Sequence, residues 1–391
     1  MWNEVMSNVL SRKSPRPNVR VAGILTVLGT VQALFLTIAN PITAQASPDD
    51  NPTCPDCVIR FDLVMTAGSL DGTGAIPEEP GSVARDSRGR LYLAFPQAGE
   101  VGLFDSTGRP LPPVGRRGEG PGEYQWPYLI RVGQSDTVMV LDFNRQLSVV
   151  APSGSFVRRS QVPVSAADFV VIGNGNLVFS ESPPATPGDS EATIFHVFNP
   201  GQDVADKSFH KVEIKAGGFA PRFYLAPAQE PDRFWTATES GDGYEVMLYA
   251  SDGILARRFA RSPSWLRPLP AEDDLAPPGA YISGLAVVED RAWIVGRHPV
   301  DEWRRYWNRE IFGEGRGEVS AREIEFAKLY RSVVDVVDIG TGELVTSAQV
   351  PGLVLGLLPN LYVATYREDD AGVPYVAVFR MSISRRSGGG N

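Results

Sequence analysis

The chain has 391 residues, a formal net charge of −9, 43% hydrophobic and 21% charged residues, and 39 glycines with 32 prolines. The hydrophobic fraction supports a large core and excludes wholesale disorder, while the glycine and proline load favours many short strands joined by tight turns. The acidic balance argues against a nucleic-acid partner, and none is expected.

Residues 1–46 stand apart. Arg12, Lys13, Arg16 and Arg20 precede the apolar run VAGILTVLGTVQALFLTIA, after which Ala44 and Ala46 take A-x-A spacing. This layout predicts a signal peptide cleaved after Ala46 and a periplasmic or secreted protein. The 19-residue run is also long enough to cross a bilayer. An uncleaved anchor through residues 21–39 is therefore the alternative, and the one route to a membrane partner. Four basic residues and one acid fall within residues 1–46, so the remaining chain carries −12.

Residues 47–57 form a short N-terminal segment with the only two cysteines, Cys54 and Cys57, in TCPDCVI. A redox C-x-x-C needs its first thiol at a helix start within a βαβ unit, and the strand-like VIRFDLVM follows instead. There is no histidine after Cys57 for haem attachment and no second pair for zinc. A local disulfide formed in an oxidising compartment is expected.

From residue 81 a hairpin signature recurs: LFDSTGRPL around Gly108, VVAPSGSFV around Gly154, VFNPGQDVA around Gly201, LYASDGILA around Gly253 and VDIGTGELV around Gly342. The spacings of 46, 47 and 52 residues match one four-stranded propeller blade each, and the last, 89, is one blade plus an insertion. Each hairpin joins the third and fourth strands of a blade. A sixth unit, beginning LVLGLLPNLYVATY, supplies three strands and ends. A closed ring must pair the edge that is left, and VIRFDLVMT, residues 58–66, has the right length. The predicted fold is an all-β six-bladed propeller over residues 58–384 with a flexible tail at 385–391.

GRRGEGPGEYQWP, Gly115 to Pro127, could pass for a phosphate-cradling loop, but an alternating apolar run follows its glycines where such a loop needs a helix. It is expected to connect blades one and two. From here the chain resembles an NHL-type repeat: Gly118-Glu119-Gly120-Pro121-Gly122-Glu123-Tyr124, then Pro127, Ile130, Val138-Met139-Val140-Leu141-Asp142 and Arg145. The whole chain also resembles bacterial six-bladed propeller proteins. The resemblance implies the fold rather than an activity.

In a propeller, connections between blades and those between second and third strands emerge on one face, around the mouth of the channel. Mapped onto this sequence, that face holds Arg116, Arg117, Glu119, Glu123, Tyr124, Trp126, Asp142 and Arg145. Later blades add Glu239, Asp242, Tyr244, Arg297, His298, Tyr366, Arg367, Glu368 and Asp369. The insertion, about residues 299–331, projects from the same face. DEWRRYWNREIF places Trp303, Tyr306, Trp307 and Ile311 on one side of a predicted helix, and Ser320 with Glu323 forms a capping box for a second. Trp303, near Arg297 and His298, is expected at the mouth and Trp307 in the packing.

Catalytic signatures are thin: there is no G-x-S-x-G, no H-E-x-x-H, and only His196, His210 and His298. A zinc lyase of the peptidyl-amidoglycolate type draws several histidines into its channel, more than this chain supplies. A calcium ion is the one cofactor to consider, since a lactonase-like site needs only groups such as Asp142, Asn144, Glu239 and Glu368. The expected function is a monomeric, non-catalytic binding or scaffold propeller. It recognises a polar small molecule or protein partner through Arg116, Arg117, Tyr124, Asp142, Arg145, Arg297, His298, Trp303, Tyr366 and Arg367. A metal-assisted hydrolase or lyase is the alternative.

Overall fold

The computed structural model describes residues 43–47, 50–69, 74–183, 191–199, 202, 204–214, 220–240, 243–266, 278–306 and 326–386. Six antiparallel four-stranded sheets stand around a central axis. Inner strands begin blade one at Ser82–Arg85, blade two at Pro127–Val132, blade three at Ala166–Val171, blade four at Phe223–Pro227, blade five at Tyr281–Val288 and blade six at Leu353–Leu358. Each sheet then runs outward in chain order, except in blade six. There the fourth position, beside Pro374–Arg385, is filled by Cys57–Ala67 from the other end of the chain. Cα partners run from Cys57 opposite Arg385 to Ala67 opposite Val376, with a bulge between Leu63 and Met65. The closing strand is thus the expected one, extended by a residue at each end.

The third-to-fourth strand hairpins fall where the glycine signature puts them: Gly108, Gly154, Gly253 and Gly342 all have positive φ, and Gly201 lies outside the described residues. Among the described residues the core forms seven apolar clusters, six of them each lying between two neighbouring blades. Ala84, Tyr92, Ile130 and Val140 fill the seam of blades one and two, for example, and Met65, Leu93, Val376 and Leu358 that of blades six and one. This is why the strands are apolar on both faces: each sheet is buried by the sheets on either side. Inner strands of adjacent blades are joined by side chains instead. Ile130 N donates to Ser82 Oγ at 3.1 Å and Tyr128 Oη to the Ala166 carbonyl at 2.8 Å.

Cys54 and Cys57 are disulfide-bonded. Cys54 N donates to the Val345 carbonyl at 3.2 Å and Thr346 Oγ1 to the Cys57 carbonyl at 3.0 Å, so the crosslinked loop fastens the start of the closing strand to the outer strand of blade five. A further strand, Thr43–Ser47, which spans the expected cleavage point, lies parallel to the outer strand of blade four, Leu255–Arg261.

The insertion departs from expectation. Where a helix through Trp303 and Tyr306 was predicted, the chain makes a single 3₁₀ turn, Trp303–Arg305. It returns through the short helix Phe326–Leu329. Val300 N donates to the Leu329 carbonyl at 3.0 Å, which ties the two feet of the insertion together. Trp307, Ile311 and the Ser320–Glu323 capping box lie outside the described residues.

Gly108 shows how tightly the ring closes. Its φ is +88°, and a Cβ there would stand 1.8 Å from the Thr66 carbonyl oxygen in the closing strand. Gly154 has nearly the same φ, +87°, with nothing within 4 Å of a Cβ. Gly154→Ala is therefore expected to cost only the left-handed backbone penalty, about 1–2 kcal/mol. Gly108→Ala should cost clearly more, because the closing strand must also move. Equal melting temperatures for the two variants would refute this close approach.

Candidate ligand site at the channel mouth

Because strands alternate in direction, the start of an inner strand and the turn between second and third strands lie at the same end of every blade. Both sets of residues ring one mouth of the central cavity, which has a volume of about 1980 Å³ and is lined by all six inner strands. From the stretches just before inner strands come Glu78, Glu79 and Arg222; from their first residues, Tyr128, Tyr224 and Tyr281; from second-strand ends and the turns after them, Phe143, Arg145, Glu239, Arg297, Tyr366 and Glu368. Beside these polar groups the lining includes the apolar residues Val170, Leu225 and Leu355.

Of the residues singled out in the sequence, Trp126, Arg145, Glu239, Arg297, Tyr366 and Glu368 line the cavity. Tyr281 stands opposite Arg297 in the strand register, so their side chains share the channel face. Arg297 Nη1 donates to Tyr281 Oη at 3.2 Å and Nη2 to the Val354 carbonyl at 2.5 Å, while its Nε is buried without a hydrogen-bond partner. Arg222 lies over the Tyr224 ring at 5.0 Å and donates to the Ala167 carbonyl at 3.1 Å. Surrounding protein pushes the Tyr224 phenol up to about 12. Burial pushes the Glu79 carboxyl above the usual glutamate range, against the opposing pull of Arg297. Glu239 opens onto the cavity, yet crowding by protein on its other sides raises its carboxyl too, although it accepts the Ile282 N–H at 2.7 Å.

The other singled-out residues sit elsewhere. Tyr124, 1% exposed, packs in the seam between blades one and two. Arg116 points to solvent and pairs with Glu123 at 2.8 Å, and Arg117 donates to the Gln97 carbonyl. Both lie beyond the cavity lining because the long connector swings outward before it returns at Trp126. Asp142 is buried and accepts the Gln125 and Trp126 N–H groups at 2.7 and 3.0 Å, which fixes the end of that connector. His298 is half-buried beside Arg331, and burial first, then that cation, holds its imidazole below the usual range. Arg367 stacks over Tyr375 at 5.7 Å. Trp303, expected at the mouth, is 3% exposed and packs with Val300, Leu329, Tyr330 and Leu353. Tyr244, also placed on the rim, is fully buried and donates to Asp335 at 3.3 Å; Asp242 lies outside the described residues.

The connector is not a phosphate cradle, because its N–H groups are already engaged. Gly118 N donates to the Tyr124 carbonyl at 3.0 Å and Gly120 N to Glu123 Oε2 at 2.9 Å. Its carbonyls face a cation: Arg159 donates to those of Glu119 and Gly120 at 3.1 and 2.8 Å. At Gly115, φ +81°, a Cβ would strike the Gly122 carbonyl oxygen at 2.4 Å, so only glycine lets the chain fold back this closely.

A calcium ion does not fit the residues proposed for it. Asp142 already accepts two backbone N–H groups, Asn144 accepts that of Gln146 at 3.2 Å, Glu239 holds Ile282, and Glu368 lies 3.8 Å from Lys328. Among the described residues, no three His, Cys, Asp or Glu side chains gather closely enough to hold a metal ion. His196, 2.9 Å from Ser208 Oγ and 3.2 Å from Glu181, sits on the third strand of blade three, outside the cavity lining. His210 is bonded to Tyr249 Oη at 2.8 Å inside an aromatic cluster.

Sequence reasoning missed Glu79, Arg222, Tyr224 and Tyr281. It searched the turns, whereas these residues precede or open inner strands. The repeat phase held the signal, since Tyr128, Tyr224 and Tyr281 recur within the first two positions of the inner strands of blades two, four and five.

Residues 84–216 match the family DUF5128, described as a 6-bladed beta-propeller. No curated protein matches the chain. Among solved structures, the chain is similar to one from Bacteroides fragilis described as a candidate exported protein, at 13% identity over 88% of this chain and 99% of that one, with a TM-score of 0.50. It is also similar to a member of the duf4221 family from Bacteroides vulgatus, at 11% identity over 84% and 99%, with a TM-score of 0.53. Identities this low show the fold alone.

Two substitutions check these placements. Asp142→Ala strands two N–H groups and should cost at least about 2 kcal/mol. Trp303→Ala should cost about 3–5 kcal/mol as a buried aromatic. Urea unfolding measures both; a Trp303→Ala protein as stable as the parent would return that ring to the surface.

Proposed function

We propose that this chain is a non-catalytic binding propeller of the periplasm or medium that holds a polar ligand, or a polar segment of a protein partner, in the mouth of its central cavity. One observation carries the reading: cations, carboxylates and phenols from several blades converge on one opening lined also by apolar residues, the make-up of a site that fixes orientation with a few polar groups. The side chains come from strand ends held in a closed ring, so the site is preorganised and little ordering opposes binding. Export is supported by the leader-like residues 1–46 and by the disulfide, which suits an oxidising compartment.

Gly279 offers a clean test. It lines the mouth, and a side chain there would meet nothing within 4 Å. Gly279→Trp is expected to fill the opening while leaving the ligand-free melting temperature unchanged. In a thermal-shift screen of neutral, acidic and basic saccharides, amino acids and short peptides, the parent should be stabilised by its ligand class and the Gly279→Trp protein should not. Stabilisation that survives Gly279→Trp, or turnover of a bound compound, would reject the proposal.

A further inference from the structure

We infer that the guanidiniums of Arg222 and Arg297, walled by the rings of Tyr224 and Tyr281, form a subsite for an anionic oxygen headgroup, a carboxylate or a sulfate or phosphate ester, carried by a polar ligand. The inference rests on the channel-mouth reading and names the chemistry that reading leaves open.

A guanidinium has five N–H donors. Arg222 uses one on the Ala167 carbonyl, and Arg297 uses two, on Tyr281 and the Val354 carbonyl, leaving its buried Nε unpaired. Among the described residues, neither has a carboxylate within the 4.0 Å that defines an ion pair. Several arginines elsewhere in the chain are neutralised directly. Arg90 pairs with Asp86 at 2.6 Å, Arg258 with Glu245 and Arg291 with Asp338 at 2.5 Å each, and Arg131 with Asp168. Arg222 and Arg297 face the cavity without a contacting carboxylate, as Arg85 and Arg145 also do, and stand near enough to each other to repel. Like charges held this close are costly, and an anion bridging them relieves both.

The pair is also held in place. Arg222 lies against Tyr224, and Arg297 is 5.9 Å over Tyr281 and hydrogen-bonded to it. At the bulge two residues along the same inner strand, Ser283 lines the cavity with a buried, unpaired hydroxyl.

The opposing groups give the site a pH dependence with a definite sign. Glu79 acts on Arg297, and Glu239 on Arg222 and Tyr224, without touching either guanidinium. Asp168, beneath Arg222, is already engaged by Arg131 and the Leu225 N–H. Burial raises both glutamate carboxyls. Where they are ionised they repel an anion. As pH falls through their raised range they take up protons before the ligand's carboxylate does, and anion binding tightens.

The test compares D-glucuronate with D-glucose, which differ by one carboxylate, and uses inorganic sulfate and phosphate as compact oxyanions, by calorimetry on the whole protein. Glucuronate or an oxyanion should bind at least about tenfold more tightly than glucose. Arg222→Gln and Arg297→Gln should each remove that preference, Glu79→Gln should tighten anion binding, and affinity should rise as pH falls through the raised range of the two glutamates. Preference for glucuronate identifies a carboxylate, and preference for sulfate or phosphate an ester headgroup. Arg297→Gln also loses a backbone bond, so if it fails to fold, Arg222→Gln decides. Glucose bound as well as glucuronate and blocked by Gly279→Trp would overturn the anion subsite while leaving the channel-mouth reading intact. Glu79→Gln that weakens binding would overturn it in favour of a site for cations. Absence of binding by every probe overturns it outright.

Discussion

The structure depends on one pairing, between Cys57–Ala67 and Pro374–Arg385. A propeller blade buries its faces only because a blade stands on each side of it, and a ring with an open seam would leave the sheets at blades six and one each half-exposed to water. Met65 and Ala67 of the closing strand pack into the seam with blade one, alongside Val83, Leu91 and Phe104, so the pairing and the apolar closure are one event. The close approach of the Gly108 hairpin to Thr66 locks the same seam from the blade-one side. Every inner strand takes its radial position from this closure, and so do the side chains at the mouth.

Architecture was legible because the hairpins leave a periodic mark: a residue must accept positive φ at the same step of each blade, and glycine does so at Gly108, Gly154, Gly253 and Gly342. The phase also told which strand ends share a face. It did not tell how far from the axis each residue lies. Arg116 and Arg117 are on the right connection but on its outward swing, while Arg145, in a short turn, reaches the cavity. Tyr124 and Tyr244 look alike as aromatic residues near turns, yet both are drawn into seams between blades. Burial across such a seam is a tertiary property with no local signature. The helical pattern in the insertion failed for a related reason. Packing of Trp303 against Leu353 of blade six, and the bond between the feet of the loop, outweigh a weak local preference for helix.

The buried acids divide the chain's electrostatics into two kinds. Asp86, Asp142, Asp168 and Asp335 are each at most 3% exposed, and each is surrounded by donors. Asp335 illustrates the balance: it accepts from Ser347 at 2.7 Å and Trp265 at 3.1 Å, yet burial still raises its carboxyl. Groups engaged this way hold connectors and seams in register and have no coordination left to offer. The mouth is the opposite case, where charges face a shared volume without touching one another. Stability and recognition are therefore carried by different ionisable residues, which lets either be altered by substitution without the other.

The closing strand also dictates when the molecule can be finished. Arg60 bonds to Ser384 at 2.8 Å across 324 residues of sequence. The strand is among the first parts of the ring to be synthesised, and its partner is among the last. Blades two to five are built from local hairpins and can form as the chain emerges, but the ring must wait for the strand Pro374–Arg385, with a long loop to close. Throughout that interval the edge of the last blade and the apolar seam beside it are open, so the time between translation and closure is when this protein is most exposed to edge-to-edge association and most in need of a chaperone.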